Sequence, residues 1–162
     1  MCGLPIRQGA HGPGAHRSEG CHTVSNSLVR IVYRSRSTLH PDNLEELDKI
    51  FRTSVRNNRR SNLTGCLAHP DGHFVQVIEG EPSHVASLVD RLRGDSRHTD
   101  VEILGEWSAP SRLFSAWAMA RPDLRPIAEQ SFRLINEKGT GSQVTAILLG
   151  LVNTGTSLYP LI

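Results

Sequence analysis

Residues 57–80 read NNRRSNLTGCLAHPDGHFVQVIEG, and this stretch decides how the chain is read. From His73 to Glu79 the side chains alternate as they do in a β-strand, with Phe74, Gln76 and Ile78 on one face and Val75 and Val77 on the other. Gln76 therefore stands where a hydrocarbon is expected. A primary amide in apolar surroundings loses its water and costs about 1–3 kcal/mol for each group left without a partner, so something polar should meet it. Pro70-Asp71-Gly72 reads as a hairpin turn, preceded by a strand from Leu63 to His69. Asn57 and Asn58 close a helix just upstream and add two more amides. Three amides converging on one pocket point to a ligand whose edge carries both donors and acceptors.

Working outward, Leu28 to Ser35 alternates as a first strand, with Val29, Ile31 and Tyr33 on one face and Arg30, Val32 and Arg34 on the other. Pro41-Asp42-Asn43 opens a helix with acidic residues in its first turn, where the helix dipole favours them. Its apolar stripe, Leu44, Leu47, Phe51 and Val55, extends by three residues to Asn58, so the core-facing side ends on an amide. Gly80-Glu81-Pro82 starts a second helix with the stripe Val85, Leu88, Val89 and Leu92, ended by Gly94. Val101 to Trp107 is a fourth strand, and Ala116 to Ala120 a shorter fifth that carries Trp117 and Met119. The order is an α+β, ferredoxin-like βαββαβ plan with an added fifth strand. Right-handed crossovers put both helices on one face and make the first and third strands neighbours, which brings Tyr33 beside Gln76 and Asn58 to the same side.

The 162 residues suit one domain with appendages. A net charge of +2 with dispersed arginines gives no case for nucleic acid or an acidic membrane as partner. Three cysteines, Cys2, Cys21 and Cys66, form no CxxC pair and leave an odd thiol, which fits a reducing cytoplasm. No apolar run reaches membrane-spanning length, and Asn62-Leu63-Thr64 is a chance match to a glycosylation acceptor. Residues 1–27, rich in Gly, His and Ser, read as a disordered extension; His11, His16, Cys21 and His22 fit no zinc spacing. Beyond Arg121, Ile127–Lys138 and Ser142–Val152 read as helices parted by Gly139-Thr140-Gly141. The second carries the stripe Val144, Ile147, Leu148 and Leu151, able to cover the free face of the sheet or to meet another subunit. The last ten residues read as a tail.

Several motifs together resemble one family. VYRSR (32–36), RNN-x3-NLTG (56–65), FVQVIEG (74–80), DSRH (95–98) and the Trp117-x-Met119 pair look like the BLUF domain, a flavin-binding blue-light sensor, over roughly residues 28–121. The resemblance implies a photoreceptor rather than an enzyme, with non-covalently bound FAD, or FMN or riboflavin in its place. It implies that Tyr33 is the electron and proton donor to the excited flavin. It likewise implies that Gln76 bridges Tyr33 and the N5/O4 edge of the ring, that Asn58 bonds the O4 and N3 side, and that Arg97 lies near O2 with His98 following it. Asn57 is a weaker candidate for the cofactor site. Trp117 and Met119 correspond to a pair that exchanges exposure in signalling, and Ala118 stands where Ser is frequent. Light then reorients or tautomerises the Gln76 amide, reversing the polarity of its contacts.

Residues 122–162 are too few and too apolar for a cyclase or phosphodiesterase, so the signal is expected to reach a separate effector protein or to pass through a homo-oligomer, with the Val144–Leu151 stripe as the contact. Taken singly, Tyr33, Gln76, Asn58, Trp117 and Met119 are ordinary core or helix-end residues. His69, His73 and His84 read as solvent-facing, Arg59-Arg60 as a solvated helix end, and Cys66 as a small hydrophobe on a central strand. Two alternatives share the fold: a light-insensitive interaction module, and an acylphosphatase-like enzyme, for which no anion-binding loop is evident.

Overall fold

A computed structural model describes residues 27–125 and 127–154. The readings of the N-terminal extension, of its His and Cys residues and of the C-terminal tail lie outside the described residues. The elements are β1 (Leu28–Ser37), α1 (Leu44–Arg60), β2 (Thr64–Ala68), β3 (His73–Gly80), α2 (Pro82–Arg93), β4 (His98–Ala109), α3 (Glu129–Arg133), a π-helical turn at Leu134–Lys138, and α4 (Gly141–Thr154). The four strands form one sheet in the order β2-β3-β1-β4 with every pair antiparallel, as the βαββαβ plan requires. Tyr33 pairs directly with Gln76 across β1 and β3.

The β2–β3 hairpin turns through Asp71 and Gly72, both at positive φ (41° and 71°), with the His73 N–H donating to the Pro70 carbonyl at 2.8 Å. Two consecutive left-handed residues match the right-handed twist of the strands they join. Helix α1 is capped by Asn43, whose side-chain oxygen accepts from the Glu46 N–H at 3.1 Å. It runs past Asn57 and Asn58 to Arg60, and its terminator is Asn62, at φ 49°. Both amides therefore sit inside the last turn and are held at fixed orientation by the helix itself.

Two apolar layers flank the sheet. Against one face, α1 and α2 bury Leu47, Ile50, Phe51, Val55, Val85 and Val89 onto Val29, Ile31, Leu67, Phe74 and Ile78. Against the other, the C-terminal helices bury Ile135, Val144, Leu148 and Val152 onto Val32, Cys66, Ala68, Val75 and Val77. Gly141 lets α4 start hard against β4, since a Cβ there would lie 3.0 Å from the Leu104 carbonyl oxygen.

Four expectations change. Leu44 is 67% exposed, because the α1 stripe begins a turn later, at Leu47. Val144 and Leu148 are buried within the chain, so the α4 stripe covers the sheet and is not a free contact surface. Cys66 is buried as expected, but β2 is an edge of the four-stranded sheet, not a central strand. The fifth strand is reduced to a bent segment beside β2, with one parallel bridge, Cys66 to Ala120, and backbone bonds Gly65 N–H to Trp117 O, Ala120 N–H to Gly65 O and Leu67 N–H to Ala120 O. A physical reason lies in between: the Ala118 carbonyl is taken by the Asn58 side chain at 2.8 Å and is lost to the ladder.

Candidate functional site

Between α1 and α2, above the centre of the sheet, lies a cleft of about 240 Å³. Helix α1 contributes Ile50, Thr53, Ser54, Asn57 and Asn58 to it, which share one side of the helix through their three- and four-residue spacing. Leu88, Arg91 and Leu92 come from α2, Tyr33, Leu67 and Gln76 from the strands, and Asp95, Arg97 and His98 from the turn into β4. All six residues assigned to a cofactor by resemblance, Tyr33, Asn57, Asn58, Gln76, Arg97 and His98, thus line one cleft. Thr53, Ser54, Arg91 and Asp95 line it as well and were missed. The α1 members could have been found by continuing the Asn57–Asn58 side back by one turn.

Tyr33, Asn58 and Gln76 are 1%, 2% and 3% exposed, so their polar atoms depend on one another and on what enters the cleft. The Tyr33 hydroxyl donates to Gln76 Oε1 at 2.5 Å, and Gln76 Nε2 donates to the Met119 sulfur at 3.4 Å. A thioether is a weak acceptor, so the NH2 of a buried amide is poorly served by the protein. Burial above all, and then the Asp95 carboxylate, push the Tyr33 hydroxyl far up from its ordinary pKa, so it stays a proton donor.

Around this pair the electrostatics are set locally. Arg97 grips Asp95 through its Nε and Nη2, at 2.9 and 2.6 Å, and lies 3.6 Å from Glu46. That hydrogen bonding holds the Asp95 carboxyl down at about 2. His98 stacks on Phe74 with centroids 4.4 Å apart, and its Nδ1 lies 2.8 Å from Ser35 Oγ. Burial first, and the Arg97 charge with it, lowers His98 to about 4, so the ring is neutral beside the cleft. His69 departs from expectation: it is partly buried against Phe74 at 4.7 Å, and burial lowers its pKa. Met119 is fully buried on the α1/α2 side, whereas Trp117 is only partly buried and packs with the apolar layer on the opposite face.

The family described as BLUF, sensors of blue-light using FAD, matches residues 28–120. The chain belongs to the BLUF family. Residues 28–120 therefore form the domain of a flavin-binding blue-light sensor, and the acylphosphatase and light-insensitive alternatives are not favoured. The structure of BlrB, a BLUF protein in its dark state, superposes with a TM-score of 0.69 at 30% identity, covering 80% of this chain and 97% of that one. The photoactivated adenylate cyclase subunit beta of Euglena gracilis is 36% identical over 98 residues, 60% of this chain. The chain spans only 11% of the length of that curated relative. A bacterial light-regulated adenylyl cyclase matches with a TM-score of 0.58 at 31% identity, over 77% of this chain and 40% of that one.

The residues present fit a flavin of this BLUF protein. Apolar walls from Ile50, Leu67, Leu88 and Leu92 suit a flat ring system, and the amides of Asn57, Asn58 and Gln76 offer donors and acceptors to its edge. The underserved NH2 of Gln76 asks for a better acceptor than sulfur. Among the described residues, no helix is long and apolar enough to cross a membrane, and no group of three or more His, Cys, Asp or Glu residues could hold a metal ion.

Proposed function

We propose that this chain is the light-receiving module of a signalling system, with residues 28–121 as the receptor domain, residues 122–162 as a signalling or oligomerisation segment, and FAD held non-covalently in the cleft between α1 and α2. The observation that carries this reading is the buried Tyr33–Gln76 hydrogen bond of 2.5 Å at the cleft, with an amide whose other end, among the described residues, meets only the Met119 sulfur. A flavin in this cleft would supply the blue-absorbing chromophore and an electron acceptor. Tyr33 is the donor: burial keeps its hydroxyl protonated, and its proton already points along the hydrogen bond to Gln76 Oε1. Gln76 is the switch, because an amide carries its acceptor and its donors at opposite ends, so rotation or tautomerisation exchanges what it offers to Tyr33, to Met119 and to the cleft. Asn58, fixed by the Ala118 carbonyl, and Asn57 would hold the flavin ring by its polar edge, together with Arg97 and His98. Exposed Arg91 supplies a cation suited to the diphosphate of FAD.

The Met119–Gln76 contact links the switch to the segment 117–120, from which the signal leaves. We read the chain as non-enzymatic and cytoplasmic, acting on a separate effector protein and forming a homo-oligomer. An absorption spectrum of the purified protein before and after blue light tests the central reading. A reversible red shift of the blue band is expected; a colourless protein or an immovable band contradicts it.

A further inference from the structure

A second buried polar centre lies on the opposite face of the same strand. Glu79, three residues beyond Gln76, is completely buried, yet it carries a carboxylate. Its Oε1 accepts from Arg30 Nε at 2.8 Å, lies 2.7 Å from Arg30 Nη2 and accepts from the Leu113 N–H at 2.8 Å. Its Oε2 accepts from Thr64 Oγ1 at 3.1 Å and from the Phe114 N–H at 3.0 Å. Arg30 Nη2 donates on to the Ser111 carbonyl at 3.0 Å. Arg112 completes the anchor, donating to Thr64 Oγ1, to the Glu79 carbonyl and to the Asn62 carbonyl at 3.0, 2.9 and 2.8 Å. Every residue from Ser111 to Phe114 is thereby tied to this one centre.

A buried carboxylate is costly unless its lone pairs are met, and here the backbone N–H groups of a loop meet them. Only a carboxylate presents acceptors on both oxygens. A glutamine would turn an NH2 toward one of those N–H donors and push the loop away. Three residues after Phe114 the chain reaches Trp117, and five after it Met119, whose sulfur holds the Gln76 amide. Phe114 is sealed in the layer beneath the sheet and Met119 in the layer above it, so the span between them crosses the sheet edge from a fixed starting point.

We propose that Glu79 is a positioning residue of the light switch: its carboxylate pins residues 111–114 and so holds Met119, rather than Trp117, against Gln76. The proposal rests on the switching role given to Gln76 above. Its test uses the full-length, flavin-loaded protein carrying Glu79→Gln, compared with its parent and with Glu129→Gln, which breaks only an exposed ion pair on α3. After a blue pulse, Glu79→Gln should return to the dark spectrum faster by about threefold or more, within the range by which residues remote from a site modulate coupling. In a Trp107→Phe background, acrylamide quenching of Trp117 in the dark should also rise, while Glu129→Gln leaves both readouts at parent values. Should Glu79→Gln not fold, Arg112→Gln, which loosens the same loop without stranding a buried charge, should give both changes. A return rate within about threefold of the parent with unaltered quenching overturns the proposal. A parent without any red shift breaks the reading of Gln76 instead, and the quenching comparison still decides whether Glu79 positions Trp117.

Discussion

The two faces of the sheet are built from the same strands and treat polar groups in opposite ways. Toward the C-terminal helices, Val32, Cys66, Ala68, Val75 and Val77 make an apolar layer, with the Arg30–Glu79 pair and Thr64 as a polar group near one end. Toward α1 and α2, the same strands place Tyr33 and Gln76 in the middle of the layer, and α1 adds Asn58. Neighbours in sequence take opposite faces: Val75 and Val77 pack in hydrocarbon, while Gln76 between them is hydrogen-bonded to the Tyr33 hydroxyl and the Met119 sulfur. A buried amide on one face and hydrocarbon on the other is the difference on which the proposed side for the ligand rests.

Substitutions on the two faces should therefore part optical behaviour from stability. The largest effect belongs to Gln76→Leu, which should still bind flavin but lose the light-induced shift altogether, as read from light-minus-dark absorption; a normal shift would remove Gln76 from the mechanism. Next, Tyr33→Phe deletes the hydroxyl that donates to Gln76 and should lengthen the flavin excited-state lifetime several-fold, measured by time-resolved fluorescence. An unchanged lifetime would count against Tyr33 as donor. On the other face, Leu148→Ala should cost about 2–5 kcal/mol in a denaturant titration through the cavity it leaves, while the red shift keeps its size.

The smallest effect is one of pH. His98 titrates at about 4 in the folded protein, below its ordinary 6.5, because burial favours the neutral ring. The unfolded chain then binds the proton more readily, so the stability this gives is complete above about 6.5 and is lost as pH falls toward 4. His69, lowered in the same direction, adds to the trend. The urea midpoint should thus drop between pH 7 and pH 5, and His98→Gln should flatten that drop; an undiminished slope in the variant would show that His98 is not its source.

Much of this was legible in the sequence because strand alternation is strict. The apolar–polar order of residues 73–79 fixed the face of Gln76, and the βαββαβ order made Tyr33 its neighbour, as the cross-strand pairing of Tyr33 with Gln76 bears out. The helical stripe placed Asn58 inward for the same reason. Less could be read where a residue's environment comes from distant chain. Glu79 looks like the polar end of a strand until Arg30 and the backbone of 113–114 close over it. The fifth strand was expected from its apolar residues, but nothing local reveals that Asn58 takes the Ala118 carbonyl, sixty positions away. The α4 stripe names the apolar side of a helix without saying whether sheet or partner covers it; here the sheet covers Val144 and Leu148.

The central claim, that light changes how the Gln76 amide is bonded, is open to one direct measurement. A light-minus-dark infrared difference spectrum should be recorded on protein carrying glutamine labelled with carbon-13 at the side-chain carbonyl. The account predicts label-sensitive bands from a carbonyl whose bond to the Tyr33 hydroxyl is altered, and their disappearance in Gln76→Leu. A difference spectrum that the label leaves untouched, in protein whose blue band still shifts, would contradict it.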